Sequence, residues 1–132
     1  MKDLEVISKT VKINNSDEII FSKISDMRNM SKFIPPELEN WTATEDDCFF
    51  SVKGKYIKLQ IVEKQPFKVV KISTVDSGSE NFTVWIQLKS LTTYETAARI
   101  VVHLQANMIV RNMIKGKLQD GVNQIVEFLK YL

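Results

Sequence analysis

The stretch that decides the fold is Glu95–Leu132, ETAARIVVHLQANMIVRNMIKGKLQDGVNQIVEFLKYL, because the spacing of its apolar residues changes partway along. In its first part Ala98, Ile100, Val102 and Leu104 share one face, while Glu95, Arg99, His103 and Gln105 share the other. That is the period of a strand with one dry side. Further on, Val110, Ile114, Leu118, Val122, Ile125, Leu129 and Leu132 recur at helical spacing. At about 100° per residue they fall within about 120° of arc, with Asn112, Gln119, Asn123, Glu127 and Lys130 opposite. The reading is a strand over Thr93 to Ala106 followed by one helix over Ile109 to Leu132. Gly121 falls inside the apolar arc, where the missing side chain either lets the helix approach the sheet or leaves space above it. Close packing is the plainer of the two.

Working back toward the N-terminus, the same alternation sets Val84, Ile86 and Leu88 against Thr83, Gln87 and Lys89. It sets Val70 and Ile72 against Lys68 and Lys71, and Leu59 and Ile61 against Lys58 and Gln60. Gly54-Lys55 suits a tight primed turn, Asp76-Ser77-Gly78-Ser79 separates two longer strands, and Pro66 marks another break. Strands are expected at Leu4 to Ile13, Trp41 to Thr44, Cys48 to Lys53, Tyr56 to Glu63, Phe67 to Val75, Glu80 to Ser90 and Thr93 to Ala106. Between the first two, Ser16 is a good N-cap with Asp17 and Glu18 suiting the helix dipole, and Ile19, Ile20 and Ile24 give that helix an apolar side. A second short helical pattern runs from Asp26 to Phe33 and is ended by Pro35-Pro36. The expected fold class is α+β: a curved antiparallel sheet of about seven strands around a long C-terminal helix, with two short helices after the first strand.

A length of 132 residues, 44% hydrophobic and 26% charged, fits one globular domain spanning 1–132. The N-terminus lacks the uninterrupted apolar stretch of a secretory signal, and no segment is long enough to span a bilayer. Cys48 is the single cysteine, which excludes an internal disulfide and suits a reducing compartment, so the expected location is cytoplasmic. Net charge is only +2, although Lys53, Lys55, Lys58, Lys64, Lys68 and Lys71 cluster in the middle of the chain. With three arginines and no nucleic-acid motif, these lysines read as solubilising strand faces and edges, and no nucleic-acid partner is expected.

The run 8–26, SKTVKINNSDEIIFSKISD, taken with the element order, resembles the opening of START-like, helix-grip proteins. That superfamily (SRPBCC) includes Bet v 1-type allergens, polyketide cyclases and coenzyme Q-binding proteins. Members commonly begin with a strand, a small residue plus Pro or Asp, then Glu, an aliphatic residue and Phe or Trp, and a Ser-Asp-like pair before the second helix. Asp17 stands where many members have Pro, which the first turn of a helix accepts equally well. The chain lacks the Gly-rich loop of the plant allergens, and the superfamily shares no catalytic signature. The resemblance implies a fold and a place for a ligand, between concave sheet and long helix, and no particular reaction.

Residues expected to line that space are Phe50, Leu59, Ile61, Ile72, Val84, Ile86, Ala98, Ile100, Val102, Ile114, Leu118 and Gly121, with Thr74 and Thr96 as polar anchors. The same residues would also build a filled core, and the sequence leaves both open. For catalysis, His103 falls on the outward face beside Arg99 and Glu95, Cys48 has no neighbouring histidine, and Tyr56 and Tyr94 lie near strand ends. Asp46-Asp47 reads as turn chemistry, so no catalytic residue, metal or cofactor is assigned. The expected function is binding or transport of a small hydrophobic or lipid-like molecule. A cyclase- or hydratase-like enzyme is the alternative. Trp85, placed outward with Thr83 and Gln87, leaves open a third role in docking a partner, or a homodimer through the outer sheet face.

Overall fold

The computed structural model describes residues 3–34, 36, 38–52, 54–75, 81–105 and 108–132, apart from the side chains of Asp3, Phe33, Val52 and residues 108–114. Helix α1 spans Asp17–Ile24, and the Ser16 Oγ caps it by accepting the Ile19 N–H at 3.2 Å. Its buried residues are Ile20 and Ile24, whereas Ile19 is exposed. Asp26 caps the following 3₁₀ turn, Met27–Phe33, by accepting the Arg28 N–H at 3.0 Å. The strands are β1 (Asp3–Ile7), β2 (Val11–Ile13), β3 (Glu39–Ala43), β4 (Asp47–Val52), β5 (Lys55–Gln65), β6 (Val69–Thr74), β7 (Phe82–Thr92) and β8 (Glu95–Gln105). Helix α2, Met108–Phe128, continues into a last 3₁₀ turn, Leu129–Tyr131.

All strand pairs are antiparallel, in the order β1-β8-β7-β6-β5-β4-β3, and β2 also pairs with β8. The sheet therefore holds eight strands, because the single N-terminal strand expected over Leu4 to Ile13 is broken in two. Ile7 faces Val101 and Val11 faces Ala98, so this edge spends one residue more than β8 does over the same interval. The surplus falls at Lys9 and Thr10, both exposed, just after Ser8, which is buried. Ser8 itself stays in register. Its N–H donates to the Ile100 carbonyl and its Oγ accepts the Ile100 N–H, both at 2.8 Å. A hydroxyl thus closes the ladder where a backbone carbonyl would stand, and the inward parity changes from Leu4 and Val6 to Val11 and Ile13.

Other boundaries moved less. Gly54 takes φ +79°, as its turn requires. Strand β5 runs on to Gln65 through a bulge between Ile61 and Glu63, and Phe67 sits in the β5–β6 turn at φ 66° rather than opening a strand. Its ring is held edge-on to Phe21 of α1, with centroids 5.9 Å apart. The expected turn at Asp76 to Ser79, Ala106, Lys53 and Pro35 lie outside the described residues.

Helix α2 packs on β1 and β8, at one side of the sheet, while α1 and the first 3₁₀ turn cover parts of β6, β7, β3 and β4. Its seated face differs from the expected one. Val126 is 0% exposed and Ile125 is 39% exposed, so the buried set is Val122, Val126 and Leu129, with Leu118 partly buried. The helix is rolled by several tens of degrees from the arc centred on Leu118 and Ile125. The cause is a pair of amide tethers: Gln119 Nε2 donates to the Ile7 carbonyl and Asn123 Oδ1 accepts the Lys9 N–H, each at 2.8 Å. Both serve main-chain groups at the broken edge, and a Lys9–Glu127 ion pair at 2.6 Å extends the row.

Candidate ligand groove

The roll of α2 decides what faces the sheet's concave side. Gly121 lies about 160° around the helix from both Gln119 and Asn123, and Ile125 lies about 160° from Asn123. Since those two amides hold the β1 edge, Gly121 and Ile125 look away from β1, across the concave sheet. A Cβ built at Gly121 would meet no heavy atom within 4 Å. The space beside the helix there is open.

The sheet below answers with a gradient that runs the same way in four adjacent strands. Near α1 the inward residues Val70, Ile72, Ile86, Leu88, Ala98, Ile100, Val102 and Ile61 are buried. At the other end their strand-mates Thr74 on β6, Val84 on β7, Leu104 on β8 and Leu59 and Ile57 on β5 are only half-buried. Cross-strand pairing joins half-buried Leu59 to Thr74, while Val84 pairs with Ile72 and Val102 at the border of the buried part. On the far side Trp41 of β3, itself half-buried, stacks on Phe50 with centroids 5.9 Å apart. Its Nε1 donates to the Ser31 Oγ at 2.9 Å, which ties β3 to the first 3₁₀ turn. One end of the inner sheet face is a filled core, and the other is apolar and only half-buried.

Of the residues expected to line a cavity, Leu59, Val84 and Leu118 are half-buried, and Gly121 has open space at its missing side chain. Phe50, Ile61, Ile72, Ile86, Ala98, Ile100 and Val102 share the same face but are buried in packed core. The Ile114 side chain lies outside the described residues. Trp41, Ile57 and Leu104 were not in the expected lining. Their signal was the same alternation, Trp41 and Ala43 against Asn40 and Thr42 in particular.

The polar candidates scatter. Thr96 is fully buried, and its hydroxyl donates to the Asn15 carbonyl at 2.9 Å, so it fixes the β2–α1 connection. Thr74 is at the groove, where its Oγ1 accepts the Phe82 N–H at 3.2 Å. His103 is on the convex face, hydrogen-bonded to Glu5 and edge-on to Trp85 with centroids 4.6 Å apart. Cys48 is buried, and desolvation pushes its thiol up to about 12, which keeps it protonated and unreactive. Tyr56 and Tyr94 are 69% and 74% exposed, and Asp46 pairs with Lys64 at 2.9 Å. Trp85 does lie on the convex face, half-buried, with the Lys71 Nζ 5.6 Å from its ring centroid. The Lys58 Nζ lies similarly over Phe49, at 5.2 Å. These lysines cover convex-face aromatic rings. Among the described residues no three His, Cys, Asp or Glu side chains converge as a metal site, and no helix is long and apolar enough to cross a membrane.

No protein-family model and no curated protein matches the chain. Solved structures do. A START superfamily protein from Mycobacterium smegmatis superposes with a TM-score of 0.64 at 14% identity, covering 95% of this chain and 98% of that one. The chain has a START-like fold. A conserved protein from Geobacillus kaustophilus matches with a TM-score of 0.69 at 15% identity, over 97% of this chain and 93% of its own. The protein XoxI from Bacillus cereus matches with a TM-score of 0.66 at 11% identity, over 99% and 94%. At these identities the START-like likeness is one of architecture, and the groove must be read from this chain's own residues.

Proposed function

We propose that the protein binds a small hydrophobic or lipid-like molecule in a groove between α2, at Leu118 and Gly121, and the half-buried inner face of strands β3 to β8. The observation that carries the reading is the burial gradient along β5, β6, β7 and β8, whose half-buried end is apolar, and Gly121 of α2 has no atom near its missing side chain. A START-like fold supports a ligand-binding role. Apolar walls with the Thr74 hydroxyl beside them, among the described residues, suit a ligand whose body is hydrocarbon, because desolvating polar groups there would go uncompensated. The place of His103 on the convex face favours binding over proton-transfer chemistry in the groove. The test is a titration with cis-parinaric acid, a fluorescent fatty acid. Saturable enhancement that is competed by decanoate and weakened in Val84→Asp supports the assignment, and enhancement unaffected by Val84→Asp in a folded variant removes it.

A further inference from the structure

We propose that a second cavity, at the filled end of the molecule, binds a small organic anion. This cleft of about 290 Å³ lies between the β2–α1 connection and the C-terminal 3₁₀ turn. Its apolar floor is Ile13, Ile20 and Leu129, all buried and part of the packed core, so it is separate from the groove. Its rim carries Lys12, Lys23, Lys130, Asn14 and Asn15, and its lining contains no Asp or Glu. The rim's charged lining groups are three ammoniums, each held by one acceptor: Glu95, Glu127 and the Leu132 main-chain oxygen. Asn15 spends its side-chain oxygen on the Ser16 N–H, at 2.9 Å, which leaves its NH₂ group to donate.

The lysines are engaged in ways a ligand can displace. Lys12 pairs with Glu95 and Lys130 with Glu127, each at 2.9 Å. Pairs this exposed contribute little, so exchanging one for a bound anion costs little. Lys23 reaches across the cleft to the Leu132 main-chain oxygen at 2.6 Å, which places its ammonium group at the cavity wall. A carboxylate or phosphate offers acceptors alone and matches these donors, while the aliphatic floor takes an apolar body. The volume is at the small end for ligand sites and limits that body to about one ring or a short chain.

Amide-resolved NMR titrations of the full chain with sodium benzoate, inorganic phosphate and sodium chloride at matched ionic strength test this. Benzoate is expected to give saturable shifts at Asn14, Asn15 and Tyr131 with a Kd on the order of 1 mM, and chloride none. Lys23→Met should weaken benzoate at least about fivefold, Lys12→Gln should weaken it less, and Lys58→Met on the convex face should change nothing. The spectra themselves report whether each variant is folded. Absence of saturable shifts overturns the proposal, as do shifts centred on the groove or an unchanged Kd in both Lys23→Met and Lys12→Gln. Phosphate binding as tightly as benzoate overturns the role of the apolar floor.

Discussion

Replacing Gly121 by alanine is expected to stabilise the protein, and the sign of the effect reports whether the helix lies close on the sheet there. In a helix interior glycine is about 1 kcal/mol less favourable than alanine, because it orders more backbone freedom. A tightly packed helix would oppose that gain with a steric clash, yet a Cβ here meets no heavy atom within 4 Å. Nothing offsets the gain, so Gly121→Ala should raise Tm by about 4 °C for a domain of this size. Gly116, exposed on the same helix and equally open, supplies the reference, and Gly116→Ala should give a similar rise. Calorimetry on the three proteins decides it. The two sites then diverge with leucine, whose helix propensity is close to that of alanine. Gly121→Leu should stay folded and weaken cis-parinaric acid binding, because its side chain enters the ligand's space, whereas Gly116→Leu should bind normally. A lower Tm for Gly121→Ala beside a higher one for Gly116→Ala would refute the reasoning, since it would mean that the helix lies close on the sheet at Gly121.

Further outcomes follow from buried groups. Val126→Asp should unfold or severely destabilise the chain, at a cost of several kcal/mol for an unpaired buried charge, while Ile125→Asp should stay within about 1 kcal/mol in chemical denaturation. Ser8→Ala should cost about 1–3 kcal/mol by leaving the Ile100 N–H without its acceptor, visible as a lower urea midpoint with unchanged slope. Cys48 should resist a disulfide reagent at pH 8 until the chain is unfolded, because its thiol is pushed up to about 12. Its raised folded value also makes stability fall as pH climbs from the ordinary thiol range toward 12. There the unfolded chain sheds the proton that the folded one keeps. A Cys48→Ala variant should show a flatter decline over that range in pH-dependent melts.

Local rules reached far into this fold. The alternation of Ala98, Ile100, Val102 and Leu104 named the inward face of β8, and Ser16 capped α1 as its side-chain chemistry demands. What escaped was decided by distant partners. Ser8 closes the ladder of the first strand, just before its break, through bonds to Ile100, which lies 92 residues away. Gln119 and Asn123 looked like a solvated helix face, yet they bind main-chain groups at that break and roll α2 until Val126, not Ile125, is the buried neighbour. Valine and isoleucine side by side give no hint of which faces inward. The groove was legible only as an apolar face. Its division into a filled and a half-buried end depends on α1 covering one end of β6 and β7, which no strand periodicity records.

The claim that an apolar ligand sits in the groove is tested most directly by the protein's two tryptophans, which lie on opposite faces of the sheet. Trp41 stacks on Phe50 beside the proposed groove and Trp85 lies on the convex face, so Trp85→Phe and Trp41→Phe each leave a single fluorophore at a known place. Titration with a brominated fatty acid, whose bromine quenches an indole only near contact, reads the ligand's position. The account predicts saturable quenching of Trp41 in Trp85→Phe, competed by the unbrominated acid, and little quenching of Trp85 in Trp41→Phe. Quenching of Trp85 alone, equal quenching of both, or none in either variant would contradict it.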